Sequence, residues 1–227
     1  MILLVLGRGK TGALVADVAR QRGHEVRVLG RADNRNGAGL TPQVLRDVAV
    51  VIDFTTPQAV LENIAACAQA RRNIVVGTTG WYKNLPQIRE LVAQSGVGLL
   101  YASNFSVGVN VFFEVARAAA AALRHSYSAE IMERHHAQKK DAPSGTALVI
   151  QNILREAGGQ EVEIVSLREG DTVGLHEVIL DSPHDTIRLA HDAKSRRGFA
   201  EGAVRAAEWL AGRAGFFDFR EVWRELR

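Results

Sequence analysis

The chain has 227 residues, of which 47% are hydrophobic and 23% charged, and its formal net charge is +3. This is the composition of an ordinary globular protein, so it excludes a disordered or low-complexity chain, and the length allows one large domain or two small ones. The small basic excess argues against a nucleic-acid-binding protein, and no apolar run is long enough to span a membrane.

The opening apolar run, residues 1–6, has no basic flank, so a strand is expected there rather than a signal peptide. The single cysteine, Cys67, excludes an intrachain disulfide and fits a reducing, cytoplasmic location.

The first hundred residues alternate short apolar runs with amphipathic stretches. The predicted strands are Ile2–Leu6, Val26–Leu29, Val48–Phe54, Ile74–Val76 and Val97–Ala102. The predicted helices are Thr11–Arg22, Thr41–Arg46, Pro57–Arg72 and Leu85–Gln94. Because these strands are apolar almost throughout, both faces of the sheet are expected to be covered, as in a doubly wound parallel sheet.

After Asn104 the pattern changes. The predicted helices are Val107–Leu123, Ser144–Glu156, Gly198–Ala211 and Phe219–Leu226. The predicted strands are Ser128–Arg134, Val162–Leu167, Gly174–Leu180 and Thr186–His191. Short turns between these strands indicate an antiparallel or mixed second sheet, so the sequence predicts an α/β protein with two lobes.

Residues 7–12 read Gly-Arg-Gly-Lys-Thr-Gly, a G-x-G-x-x-G pattern between the first predicted strand and the first predicted helix. In that context Gly7 allows a tight turn, Gly9 lets a phosphate approach the backbone, and Gly12 lets the helix pack on the strand. Arg8 and Lys10 add positive charge. The pattern predicts the pyrophosphate-binding turn of a Rossmann domain, with a glycine-rich turn that binds nothing as the alternative.

The end of the second predicted strand indicates which nicotinamide cofactor, NADPH or NADH, the chain binds. Gly30 and Arg31 stand where an NAD-binding domain would carry an acidic residue, and a guanidinium suits the 2′-phosphate of NADP. Asp33 could substitute for the missing acid. The sequence therefore favours NADPH and leaves NADH possible.

Two further segments, Gly77–Gly80 and Ala102–Phe105, follow predicted strands. Ligands of such sheets bind beyond the carboxyl ends of the strands. Small residues there let a nicotinamide approach the backbone, and the amide of Asn104 offers a donor and an acceptor. Each segment alone is a turn signal, but the pair predicts the nicotinamide site.

The densest chemistry lies in residues 133–147, which read Glu-Arg-His-His-Ala-Gln-Lys-Lys-Asp-Ala-Pro-Ser-Gly-Thr-Ala. Ser144 begins a predicted helix, and the N–H groups at such a start bind carboxylate or phosphate. A histidine or lysine beside that start can donate a proton. The alternative is a solvated basic loop before an ordinary helix cap.

This segment closely resembles the signature of the dihydrodipicolinate reductase family, and residues 77–80, 104–110 and 199–205 also resemble that family. The resemblance implies reduction of 4-hydroxy-tetrahydrodipicolinate by NAD(P)H, by way of dihydrodipicolinate, to tetrahydrodipicolinate in the diaminopimelate route to lysine. It also implies a Rossmann domain over residues 1–105 and 195–227. Residues 106–194 would then form a substrate-binding domain whose mixed sheet builds a homotetramer.

The resemblance implies roles for individual residues. His135 would be the acid/base residue and Lys139 the proton donor beside it. The substrate, a small dicarboxylate, would be held by His136, Ser144, Gly145 and Thr146. With Arg31 from the strand end, the cofactor would be held by Gly7, Arg8, Gly9, Lys10, Thr11, Gly12, Gly77, Thr78, Thr79, Ala102, Ser103, Asn104 and Phe105.

Two other functions stay open on the residues alone. One is another nicotinamide dehydrogenase, although a phosphorylating semialdehyde dehydrogenase needs a nucleophilic cysteine and Cys67 lies inside a predicted helix. The other is a redox sensor that binds NADPH, which would not need His135 and Lys139 beside an anion-binding helix start. No metal site is predicted, and the remaining histidines, His176 among them, are expected at surface or structural positions.

Overall fold

The computed structural model describes residues 1–159 and 161–226. It divides into two compact units, of which the first comprises Met1–Ser106 and Arg197–Arg227 and the second Val107–Arg196. These bounds lie within a few residues of the predicted domain ranges, which also include residues 160 and 227, outside the described part. Within the described part, no helix is long and apolar enough to cross a membrane.

The described residues contain strands of both units. In chain order they are β1 (Ile2–Leu6), β2 (Glu25–Leu29), β3 (Val48–Asp53), β4 (Asn73–Val76), β5 (Gly98–Tyr101), β6 (Ser128–His135), β7 (Glu163–Arg168), β8 (Leu175–Asp181), β9 (Thr186–Asp192) and β10 (Gly215–Asp218). The α-helices are α1 (Lys10–Gln21), α2 (Pro42–Leu45), α3 (Val60–Gln69), α4 (Leu85–Ser95), α5 (Val107–Ala119), α6 (Gly145–Gly158), α7 (Arg197–Leu210) and α8 (Phe219–Val222).

The first unit is built on one parallel sheet with the order β10-β5-β4-β3-β1-β2. Four consecutive residues of β1, Leu3 to Leu6, are fully buried. Because successive side chains of a strand point to opposite faces, both faces of the sheet are covered. The predicted doubly wound α/β fold is confirmed, and the strand order reverses at β1, where such sheets open a crevice for ligands.

The second unit carries a mixed sheet with the order β7-β6-β8-β9, in which β6 pairs with β7 in parallel and with β8 antiparallel. Helices α5 and α6 pack against each other and against this sheet. In β8 the buried positions alternate, with His176, Val178 and Leu180 facing inward. The predicted mixed sheet is therefore confirmed.

Several predicted boundaries were wrong. Helix α3 begins at Val60 instead of Pro57, and the residues before it form a turn in which the Ala59 N–H donates to the Thr56 carbonyl at 3.0 Å. The helices predicted to reach residues 123 and 226 end as short 3-10 turns, Ala120–His125 and Trp223–Glu225. Strand β10 was not predicted, since four residues at a sheet edge carry little periodic signal.

Helix α7 provides a test of packing inside the first unit. A Cβ atom at Gly202 would lie 1.8 Å from the carbonyl oxygen of Phe105, whereas a Cβ at Gly198 in the same helix meets nothing closer than 3.7 Å. We expect Gly202→Ala to lower the free energy of unfolding by roughly 1–3 kcal/mol in urea titration, because backbone must shift. Gly198→Ala is the matched control and should be neutral or slightly stabilising. Equal midpoints for the two variants would contradict this packing.

Candidate functional site

The glycine-rich turn lies between β1 and α1 and has no room for larger residues at two positions. Gly7 has φ +105°, and a Cβ there would lie 2.2 Å from the carbonyl oxygen of Phe54. A Cβ at Gly12 would lie 2.2 Å from the carbonyl oxygen of Gly7. At Gly9, by contrast, a Cβ would meet no atom within 4 Å. The turn is therefore closely packed at Gly7 and Gly12 and open at Gly9, where a phosphate can approach the backbone.

The start of α1 opens into a cavity of about 290 Å³. The N–H groups of the first helical turn have no partner within the helix, so they present positive partial charge to an anion. The cavity brings together the predicted glycine turn and the predicted strand end, being lined by Gly9, Lys10, Thr11, Gly12, Phe54, Thr55, Pro57, Gly77, Thr78 and Thr79.

A fully buried carboxylate, Asp53, organises the loops around this cavity. Its Oδ1 accepts hydrogen bonds from the hydroxyls of Thr55 and Thr78 at 2.7 and 2.6 Å, and its Oδ2 accepts from the amide of Asn63 at 2.7 Å. Sequence reasoning missed Asp53, although an aspartate ending an apolar strand was a usable signal. Asp53 thereby fixes the loop of Gly77, Thr78 and Thr79, which lines the cavity.

The structure places Arg8 and Asp33 together at the end of β2. The Asp33 carboxylate accepts from the Gly30 N–H at 2.8 Å and pairs with Arg8 at 3.1 Å. A Cβ at Gly30 would lie 3.0 Å from Arg8 Cδ, so the arginine side chain covers this glycine. Arg31 is exposed. Asp33 is thus already balanced by one guanidinium.

The segment after β5 contains both buried and exposed residues. Ala102 and Phe105 are buried, and the Phe105 ring packs on Phe219 with centroids 4.9 Å apart. Asn104 Oδ1 accepts from the Ser106 N–H at 2.9 Å, which fixes the turn, and Ser103 is exposed. The Phe105 side chain is therefore part of the hydrophobic core.

In the second unit His135 is the last residue of β6 and only 7% exposed. Its Nδ1 lies 3.2 Å from Oε2 of Glu133, two residues earlier on the same face of the strand. Burial lowers the pKa of His135 to about 4, and the positive charges of Lys139 and Arg168 act in the same direction, against the opposing effect of Glu133. His135 is therefore neutral near pH 7.

Glu133 is fully buried and was not predicted as a site residue. Its Oε1 accepts from the Ser144 N–H at 3.0 Å, the Ser166 hydroxyl at 2.8 Å and Arg168 Nη2 at 2.6 Å. Burial opposes ionisation, but these hydrogen bonds lower the pKa of Glu133 to about 2. The carboxylate is therefore a fixed negative charge beside His135.

His176 also lies in this cluster, at 4% exposure. Its Nε2 is 3.2 Å from Ser144 Oγ and 3.8 Å from Glu133 Oε2, and its ring lies 5.1 Å from that of His135. Burial lowers the pKa of His176 to about 4, and the electrostatic effect of the neighbouring His135 acts in the same direction. Its place on the inward-facing side of β8 was a signal that sequence reasoning did not use.

Lys139 lies in the loop between β6 and α6. Its ammonium donates to both carboxylate oxygens of Asp141 at 2.7 Å, and this pairing lowers the pKa of Asp141 although partial burial opposes it. Arg168 Nη2 also donates to the Asp141 carbonyl at 2.6 Å. One guanidinium therefore connects the loop that carries Lys139 to the carboxylate beside His135.

The start of α6 is capped by Ser144, whose hydroxyl accepts from the Ala147 N–H at 3.2 Å. A Cβ at Gly145 would meet no atom within 4 Å, so this helix start is open. Thr146 follows it in the first turn, and His136 is half-buried at the beginning of the preceding loop. The start of α6 can therefore receive an anion such as a carboxylate.

Two other groups carry nucleophilic or metal-ligating atoms. Cys67 is fully buried in α3, and burial raises the pKa of its thiol, so it is not an activated nucleophile. Glu133, His135 and His176 lie near enough to reach one cation together. Arg168 already supplies the positive charge that balances Glu133, however, and we assign no metal ligand here.

Comparison with known proteins places these sites in a family. The model of the dihydrodipicolinate reductase N-terminus matches residues 1–105, and that of the C-terminus matches residues 108–223. The chain belongs to the dihydrodipicolinate reductase family. The family consists of pyridine-nucleotide-dependent reductases, so the predicted family, the enzyme class and the function in lysine biosynthesis by way of diaminopimelate are confirmed.

Curated members of the family match over most or all of this chain. The 4-hydroxy-tetrahydrodipicolinate reductase of Christiangramia forsetii is 37% identical over 240 residues, covering 100% of this chain and 99% of the relative. That of Laribacter hongkongensis is 39% identical over 193 residues, covering 76% of this chain and 72% of the relative. A solved structure, dipicolinate-bound dihydrodipicolinate reductase from Paenisporosarcina sp. TG-14, has a TM-score of 0.75 at 24% identity and covers 98% of this chain and 99% of its own. It shows the same fold.

The two buried histidines of this family member predict a pH dependence of stability. Their pKa values lie at about 4, below the ordinary 6.5, so between these values the unfolded chain takes up protons that the folded chain does not. We expect the urea midpoint to fall as the pH is lowered from 6.5 to 4. His176→Gln should weaken this pH dependence, and the exposed His184→Gln should preserve it. An identical pH dependence in both variants would contradict the assignment.

Proposed function

We propose that this chain reduces 4-hydroxy-tetrahydrodipicolinate, by way of its dehydrated ring, to tetrahydrodipicolinate with NADPH. In this proposal Lys139 donates the proton that completes the reduction, and His135 acts as acid/base beside it. The observation that carries the proposal is the grouping of Lys139, His135 and the open start of α6 within one unit. The Paenisporosarcina protein binds dipicolinate, a ring dicarboxylate, which supports a small dicarboxylate substrate for this chain.

The residues of the first unit fit a dinucleotide. Side chains at Gly7 and Gly12 would collide with backbone, so this turn can exist only with glycines, and the open space at Gly9 exposes amides to a pyrophosphate. A Cβ at Gly77 would lie 2.3 Å from the Phe54 ring, so only glycine fits at this position, where the nicotinamide would approach the backbone. When bound, the nicotinamide cofactor supplies the hydride that reduces C4 of the conjugated imine.

The residues of the second unit then divide the remaining work. Gly145 and Thr146, with Ser144 at the cap and His136 nearby, would hold a substrate carboxylate at the positive end of α6. Because His135 is neutral near pH 7, it lacks the acidic proton of an imidazolium, so we assign proton donation to the Lys139 ammonium. Lys139 would therefore protonate the ring at C3, and His135 would act as acid/base beside it.

Oligomer and location are part of the proposal. Helices α5 and α6 pack on the mixed sheet of the second unit, and the family resemblance implies a homotetramer built through such a sheet. The single cysteine, buried in α3, is consistent with a cytoplasmic enzyme.

The assay that tests this function follows oxidation of NADPH at 340 nm, with substrate generated from pyruvate and aspartate semialdehyde by the preceding synthase. We expect His135→Ala and Lys139→Ala each to lower kcat by about 100-fold or more, because a positioned proton donor contributes on that order. The exposed Lys83→Ala is the control and should keep the activity of the wild type. Tight NADPH binding without turnover would overturn the substrate assignment.

Cofactor preference has its own test. Since the Asp33 carboxylate is already paired with Arg8, we expect the exposed Arg31 to meet the 2′-phosphate of NADPH. Arg31→Ala should lower kcat/KM for NADPH by about tenfold, the loss of one charge-assisted contact, and leave the value for NADH nearly unchanged. A variant that loses both cofactors equally would show that Arg31 has no part in the preference.

A further inference from the structure

Glu133 uses its two carboxylate oxygens differently. Oε1 accepts three hydrogen bonds, from the Ser144 N–H, the Ser166 hydroxyl and Arg168. Oε2 and His135 Nδ1 are both buried, face each other at 3.2 Å, and have no hydrogen-bond partner among the described residues. The carboxylate is thus anchored through one oxygen and directed at the histidine ring with the other.

We propose that Glu133 is a positioning residue, which binds the Nδ1–H of His135 and so leaves Nε2 as the ring atom that serves the substrate. This inference rests on the proposed function. A neutral imidazole carries its proton on one nitrogen, and a carboxylate next to Nδ1 selects the Nδ1–H form and fixes the ring plane. Contacts of this kind are commonly long or poorly aligned before substrate binds and shorten in the complex.

The opposite edge of the ring supports the same assignment. A Cβ at Gly174 would lie 3.0 Å from His135 Nε2 and 3.3 Å from its Cδ2. A larger residue there would press on the edge that Glu133 leaves free. The ring is therefore held at Nδ1 by a charged group and bordered at Nε2 by the smallest residue.

Arg168 keeps this arrangement in place. Its Nη2 bonds Glu133 at 2.6 Å and the Asp141 carbonyl at 2.6 Å, and Asp141 in turn pairs with Lys139. The charge of Glu133 is thereby balanced within the protein. Glu133 therefore stays ionised and accepts the Nδ1–H without taking a proton itself.

The decisive variant is Glu133→Gln. The amide oxygen of the glutamine can still accept a hydrogen bond from Arg168. Because the Arg168 guanidinium repels the amide NH₂, the NH₂ group turns toward His135 Nδ1. Nδ1 must then accept, and the ring proton moves to Nε2. We expect kcat to fall about 100-fold with KM changed less than threefold, as for loss of acid/base function without loss of binding.

The second readout is the tautomer of His135, measured by nitrogen NMR on protein labelled at its seven histidines. The His135 signal is assigned by its absence in His135→Ala. We expect Nδ1–H in the wild type and Nε2–H in Glu133→Gln. An unchanged tautomer would overturn the proposal. The tautomer can be measured even if the wild type does not turn over the substrate. A failure of turnover would count against the proposed function alone.

A double-mutant cycle separates positioning from general destabilisation. If Glu133 acts through His135, Glu133→Gln should cost little further activity in a His135→Ala background. Additive losses would show an independent, structural role and overturn the proposal. Glu156→Gln, at an exposed position of α6, is the matched control for loss of one carboxylate and should keep wild-type kcat and the wild-type His135 tautomer.

Discussion

A buried carboxylate has to be hydrogen-bonded or paired, because an isolated charge in the protein interior is far less stable than in water. Each unit of this protein buries one completely, at or near the carboxyl end of a strand: Asp53 at the end of β3 and Glu133 near the end of β6. The loops beside both candidate sites are shaped by the donors that these two groups require.

In the first unit this requirement fixes two residues that line the cavity, Thr55 and Thr78. Asp53 engages the side chains of Thr55, Thr78 and Asn63, and Asn63 in turn accepts from Asn34 at 2.8 Å. The hydroxyls of Thr55 and Thr78 are thereby engaged within the protein. Backbone is open to a ligand at Gly9, whereas the glycines at positions 7, 12 and 77 allow no larger residue without collision.

In the second unit the requirement also sets the protonation states. Glu133 stays ionised because three donors reach it, while burial keeps His135 and His176 neutral. The cluster therefore contains a fixed negative charge and two uncharged rings at neutral pH. The basic side chains next to this cluster are Arg168, which pairs with Glu133, and Lys139, which pairs with Asp141 on the neighbouring loop.

Features that depend only on neighbouring residues could be predicted from the amino-acid sequence. The glycine turn, the cap at Ser144 and the alternation of strands and helices are local patterns, so the parallel fold and the candidate residues His135 and Lys139 were predictable, and the family signature added their roles. Which residues from distant parts of the chain contact them depends on how the strands pair. Glu133, Arg168 and His176 come from three strands, and their contacts depend on the register of β6 against β7 and β8. That register is set by packing of the whole sheet, which no single segment encodes.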